Sequence, residues 1–484
     1  MRALRNGCLN KQLDLLCDAV DSKDFNQISV SRAFQVLSGF VKNNPQDEEQ
    51  IRSSVKQHPH FVRTMMQVAE NCMTRYSFNA RFSFYRKTFT SLLYGCVHLE
   101  ITPDEDWQAK FWEVSQKTIG LFNQKEFSNT MQAAAKLGLV IPKGWKKDFW
   151  YYSYKKLDCF NAIDLTNTIH AAAKLGLVIP KDWQGKFWEV SRQRFSTFST
   201  QDLSLVLYAA GELVLELPER WQQAFWDHSY QSLGSFNAQD FSNTLYAAAR
   251  LDLDVPQDWQ ALFWQYSGPL LGEFNPQALS NTAYAACVLS LKLPDEVKEP
   301  LALRLQNHMS DHVMLLQALF NASDYLKAQG IDLIFSQDTF AQLQQHEEHT
   351  GTIIQRKTGW ALLDVLQKEC AFLPNVILEE EHLIEATASS VDFFVKAFGP
   401  KGLIIQVDGP FHFLNKGTRR QCVDGFTAFQ TRRLEKQGYH VLRLPYDKLE
   451  TFGVYEIENE STPASDELYA YLKEQLSLYL ATVT

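Results

Sequence analysis

Apolar and polar positions alternate on a helical period through the middle of the chain, and that pattern itself recurs. In PQDWQALFWQYS (256–267) the residues Trp259, Phe263 and Trp264 fall on one face of a helix, with polar residues opposite. In FNAQDFSNTLYAAARLDLDVP (236–256) a second pattern runs from Phe241 through the alanines, and its start and stop are legible. Asn237 is placed to cap the helix with Asp240 three residues on, and Phe236 and Phe241 stand where a hydrophobic staple needs them. Pro256 ends it. The staple repeats as Phe122 with Phe127, Phe160 with Leu165, Phe198 with Leu203 and Phe274 with Leu279.

The unit returns every 38 residues: Trp107, Trp145, Trp183, Trp221 and Trp259 keep that step. So do the Phe-Trp pairs from Phe111 to Phe263, the serines from Ser115 to Ser267 and the prolines from Pro142 to Pro294. A weaker copy begins near Phe84, and 25–40 reads as a more degenerate one. Helix pairs that cannot bury their apolar faces alone must stack on their neighbours. The expected fold is an α-solenoid of helix-turn-helix repeats over 84–294, between a helical cap at 1–83 and a second cap or linker at 295–350. From 351 to 484 the pattern becomes α/β, with helical TGWALLDVLQKE, strand-like NVILEEEHLI, SSVDFFVKAF and KGLIIQVDGPF, a helix in VDGFTAFQTRRLEKQG and a strand at YHVLRLP. Thr462 and Pro463 are expected to open a closing helix.

Composition narrows the function. The net charge of −9 argues against a blanket polyanion binder, and no run is apolar enough to span a bilayer. The charge is nevertheless uneven: nine Lys face three acidic residues between Lys110 and Lys156, and ten Lys and Arg face five between Lys396 and Glu450. Eight scattered Cys without metal-binding or redox spacing point to buried thiols in a reducing compartment, and the expected location is cytoplasmic, a bacterial cytosol or, after translocation, a host cell or organelle.

With the apolar residues assigned to the core, each second helix keeps polar residues at i, i+3 and i+7 on one face. They are Asn129, Gln132 and Lys136; Asn167, His170 and Lys174; Leu205, Tyr208 and Glu212; Asn243, Tyr246 and Arg250; and Asn281, Tyr284 and Val288. Amides pair with base edges, Tyr and His stack, and Lys or Arg meets phosphate, a division of labour used by helical-repeat RNA readers. The Asn positions fit a structural ladder between repeats equally well, while the variable i+3 position favours a ligand.

The 38-residue period, the P-x-x-W opening and the SNT-x-x-AAA-x-L helix resemble octotricopeptide repeats of organellar and bacterial RNA-maturation factors. The resemblance covers about 84–294 and implies single-stranded RNA binding; the third unit departs from it, with SLVLYAAGEL in place of SNT. VDFFV, IIQVDGPFHF and RRLEKQGYHVLRLPYDKLE resemble the RAP domain, which also occurs in the FAST-kinase-domain family and is related to the restriction-endonuclease-like fold. A nuclease of that fold would hold Mg²⁺ near the scissile phosphate, and Asp392 and Asp408 fall at the matching positions with His412 beyond. Gln406 stands where the usual second acid would be, which makes a weak metal cage. Arg419, Arg420, Arg432, Arg433 and Lys436 are placed to meet phosphates. The expectation is therefore a monomeric, sequence-selective binder of single-stranded RNA without cofactor, acting in RNA processing, stability or translation. A repeat-guided, Mg²⁺-dependent endoribonuclease and a protein-interaction scaffold are the alternatives.

Overall fold

A computed structural model of the chain describes residues 82–308, 313–336, 353–369, 377–384, 389–398, 401–409, 412–414, 422–457 and 462–480, with a few isolated positions elsewhere. The expected cap at 1–83, Arg419 and Arg420 lie almost wholly outside these residues. The chain divides into two compact units, one of Met1–Asp202 with Glu219–Phe225 and one of Leu203–Pro218 with Trp226–Thr484. The division runs through the third repeat.

The helical body is a series of helix pairs. Its helices are α1 (Phe82–Leu99), α2 (Glu105–Thr118), α3 (Gln124–Leu137), α4 (Lys143–Lys156), α5 (Ala162–Lys174), α6 (Lys181–Gln193), α7 (Thr200–Glu212), α8 (Glu219–Ser232), α9 (Ala238–Arg250), α10 (Gln257–Ser267), α11 (Pro276–Val288), α12 (Asp295–Asn307) and α13 (Val313–Ala328). None of the described helices is long and apolar enough to cross a membrane.

In the first unit, a buried aromatic ladder fixes the first helix of each pair. Trp145 stacks on Phe149 (5.4 Å) and meets Trp112 of the preceding pair edge-on (5.0 Å). Trp183 repeats this with Phe187 and Trp150, and Trp221 with Phe225 and Trp188. Each indole N–H donates to the serine one repeat back, Trp145 to Ser115 (3.0 Å), Trp183 to Ser153 (3.1 Å) and Trp221 to Ser191 (2.9 Å). The period-38 serine thus satisfies a donor that would be costly to bury alone. Asn123 with Glu126 and Asn161 with Asp164 form full capping boxes at α3 and α5. Asp164 also accepts from Ser128 of the preceding repeat (2.8 Å), so one carboxylate caps the start of a helix and bonds two repeats.

The second unit repeats the scheme. Trp259 stacks on Phe263, meets Trp226 and donates to Ser229 (3.0 Å). Asn237 and Asp240 form the capping box of α9, Phe236 and Phe241 make their staple contact (5.4 Å), and Asp240 accepts from Ser204 (2.8 Å). Where no acid follows, at α11, Ser242 donates to the Ala278 carbonyl instead (3.2 Å). Alanines let these second helices approach closely: a Cβ on Gly211 would stand 3.1 Å from the Ala247 Cα.

After α14 (Ile353–Glu369) come β1 (Leu378–Ile384), β2 (Ser389–Val395), β3 (Leu403–Asp408), the short β4 (Phe413–Leu414) and β5 (Cys422–Val423), α15 (Gly425–Lys436), β6 (His440–Pro445), α16 (Tyr446–Thr451) and α17 (Asp466–Leu480). The main sheet has the order β1-β2-β3-β6, antiparallel except for the β3–β6 pair, which is parallel. Parallel pairing requires a crossover, which α15 supplies. Leu362, Val365, Leu403, Ile405, Leu444, Leu468 and Leu472 bury one face of the sheet beneath α14 and α17, while Phe394, Ile404, Leu434 and Val441 pack the other. The closing helix starts later than Pro463. Ser465 caps it, its Oγ accepting from the Leu468 amide (3.2 Å), with Asp466 and Glu467 in the first turn.

Candidate nucleic-acid interface

The second helices carry two kinds of polar residue. On α3 and α5 the threonine after the Asn folds back onto its own helix, Thr130 to the Glu126 carbonyl and Thr168 to that of Asp164, while Ser128 bonds the next repeat as above. The positions that remain are Asn, i+3 and i+7.

In the first unit these positions reach solvent. Asn129, Gln132, Asn167 and His170 are half-buried, and Lys136 and Lys174 are exposed. Gln132 donates to Asn167 one repeat on (2.9 Å), so the amides form a row with hydrogen-bonding capacity to spare. Burial, and then the charges of Lys174 and Lys136, push His170 down to about 4. At neutral pH it is an uncharged aromatic ring between two cations.

In the second unit α15 packs on several of the same positions, on α9 and α11. The sequence VDGF starts α15 with Asp424 as cap, its Oδ1 accepting from the Thr427 amide (2.8 Å). Gly425 then lies against α9 so closely that a Cβ would sit 1.9 Å from the Ala249 carbonyl oxygen. This brings Phe426 between Tyr246 (5.2 Å) and Tyr284 (5.1 Å), and Phe429 against Tyr284 (5.8 Å). Arg250 bonds the Tyr246 hydroxyl (3.4 Å) and faces Asp424 (3.9 Å). Burial pushes Tyr246 up to about 12 and Tyr284 higher still. Asn243 is buried and accepts from Gln239 (2.7 Å), and Asn281 accepts from Gln277 (2.8 Å). Tyr208 stays half-buried, 5.9 Å from the Tyr246 ring. Arg433 donates to Asn321 on α13 (2.7 Å) and faces Asp324 (3.8 Å), so it anchors α15 from its other end.

The carboxylates of the sheet are also engaged. Asp408 is buried at the end of β3, and both its oxygens meet the Arg443 guanidinium of β6, one through Nε (2.7 Å) and the other through Nη2. Arg443 donates further to Thr431 (3.0 Å). Asp392 accepts from Gln355 (2.7 Å) and from the Val407 amide (2.6 Å). Burial raises it to about 6, opposed by the Val407 amide and reinforced by Glu381. Gln406 is half-buried beside them; His412 is exposed, with Nδ1 3.1 Å from Thr427. Among the described residues no group of three or more His, Cys, Asp or Glu is gathered to hold a metal. A divalent ion at Asp408 would have to displace Arg443, so this donor set fits Mg²⁺ poorly. Two functional features escaped the sequence reading. Arg443 is visible only as a basic residue in an apolar strand, and Phe426 and Phe429 only as the apolar face of a helix.

No curated protein matches the chain. The family model of the RAP domain matches residues 405–453, which span β3, the β4–β5 hairpin, α15, β6 and α16. A RAP domain therefore stands at the C-terminal end of a mostly helical, repeat-like body; RAP domains are generally RNA-binding, which is consistent with an RNA-related function.

Proposed function

We propose that the chain binds single-stranded RNA sequence-selectively, through an α-solenoid of octotricopeptide type whose reading residues are Asn129, Gln132, Lys136, Asn167, His170 and Lys174. The observation that carries this is a polar row on α3 and α5: half-buried amides, with Gln132 bonded to Asn167, and a neutral imidazole, flanked by exposed lysines. It joins base-edge partners, a stacking surface and phosphate contacts on one face. Tyr246, Arg250 and Tyr284 act as the seat of α15, which fixes the RAP domain on the last repeats.

The RAP domain contributes phosphate contacts from exposed Arg432 and Lys436 rather than cleavage, because Asp408 is neutralised by Arg443. The protein acts as a cytoplasmic monomer in RNA processing, stability or translation. Selection from a random RNA pool, with and without Mg²⁺, tests this. The expected result is enrichment of a short sequence that Gln132→Ala with Asn167→Ala abolishes, and no cleavage in Mg²⁺. Failure to enrich any sequence overturns sequence-selective binding, and Mg²⁺-dependent cleavage lost in Asp408→Ala overturns the binding-only role of the RAP domain.

A further inference from the structure

The outward stripe of α4 differs from that of every other first helix in the repeat. Four-residue steps from the helix start give Glu105, Ala109, Glu113 and Lys117 on α2, and Lys181, Gly185, Glu189 and Gln193 on α6. On α8 they give Glu219, Gln223, Asp227 and Gln231. In α2 and α6 the third residue is an acid that neutralises its neighbours: Glu113 pairs with Lys110 (3.0 Å) and Lys117 (2.6 Å), and Glu189 pairs with Arg192 (2.9 Å). On α4 the stripe reads Lys143, Lys147, Tyr151 and Lys155, all exposed, and the acid has become tyrosine. The one acid of this helix, Asp148, turns to the preceding repeat and accepts from Gln116 (2.8 Å). Tyr151 is 53% exposed, with the Lys155 ammonium 4.1 Å from its ring centre.

We infer that this stripe is a second RNA contact, on a different helix from the reading row, that binds the phosphodiester backbone of the strand flanking the read segment and stacks one base on Tyr151. The charge is the reason for choosing this occupant. Lys143 and Lys147 on successive turns, with Lys155 two turns further on and no acid in the stripe, would repel one another, and a polyanion relieves that repulsion. An exposed aromatic ring between cations offers any base a face to stack on, without sequence preference. Such a contact adds affinity and salt dependence and leaves the selected sequence unchanged.

The inference rests on RNA binding by the chain and is tested separately from the reading row. Affinity of the full chain would be measured for the selected RNA with and without a flanking oligouridine extension, across a salt series. With Lys143, Lys147 and Lys155 changed to Gln, the slope of log affinity against log salt should fall by about 2 on the extended RNA. Tyr151→Ala should weaken binding to the extended RNA roughly ten-fold and to the unextended RNA hardly at all. Neutralising three acid-paired lysines instead, Lys110, Lys117 and Lys298, matches the change in net charge and should leave the slope unchanged. Equal slopes for the two triple variants, or no gain from the extension in the natural chain, overturn the inference while sequence-selective binding stands. If the natural chain binds no RNA, both fall.

Discussion

The second helices α3 and α9 are built from nearly the same sequence, EFSNTMQAAAKL against DFSNTLYAAARL, and meet different fates. Both are started by a capping box and packed through alanines. On α3 the residues left over face solvent, whereas on α9 they lie under Phe426. The difference sits at two positions. Gln132 with Lys136 offers hydrogen bonds and a free charge, whereas Tyr246 with Arg250 offers a ring for Phe426 and a cation for Asp424. The same repeat frame thus leaves a polar row open on α3 and, on α9, seats the helix α15, and the i+3 residue differs between them, Gln132 against Tyr246.

The largest expected effect breaks the seat. Gly425→Val places a side chain where the Ala249 carbonyl already is, and should cost on the order of 3 kcal/mol in chemical denaturation. Hydrogen exchange should show protection lost in α15 and α9 and retained in α3. Phe426→Ala removes the ring held between Tyr246 and Tyr284 and should cost about 2 kcal/mol, read as a lower denaturation midpoint.

Acid sharpens the contrast. His170 is held neutral, with its folded value of about 4 below the unfolded value, so the unfolded chain takes up the proton first. Stability of the first unit should therefore fall as pH drops from about 6.5 to 4, and His170→Gln should flatten that loss. Asp392 in the second unit has the opposite sign. Its folded value of about 6 lies above the unfolded one, so its contribution is lost as pH rises from about 4 to 6. Asp392→Asn should remove that slope in a pH series of denaturation midpoints. The smallest effects separate the cations: Lys174→Gln should lower the salt slope of RNA binding by about 0.7, while Arg250→Gln should leave it unchanged and cost about 1 kcal/mol of stability.

The sequence made the repeat legible because its constraints are local and recur. A proline stop, an asparagine cap and a staple can each be read within a few residues, and the 38-residue step multiplies the signal. The roles of Ser128 and Ser204 were not legible, since their partners Asp164 and Asp240 lie 36 positions away on the next helix. Pro463 offers a stronger local start signal than Ser465, the residue that caps the helix. The covering of Tyr246 and Tyr284 depends on residues of a different domain, which no periodicity connects to them. The Asp408–Arg443 pair depends on the parallel register of β3 and β6.

The division of the repeat face is tested most directly by comparing two double variants for affinity to the selected RNA and for thermal stability. Gln132→Ala with His170→Ala should weaken RNA binding at least ten-fold and leave the melting temperature nearly unchanged. Tyr246→Ala with Tyr284→Ala should lower the melting temperature by several degrees and leave the selected RNA sequence unchanged, with at most the loss of the phosphate contacts from Arg432 and Lys436. A loss of RNA affinity in the tyrosine variant without loss of stability would contradict the account.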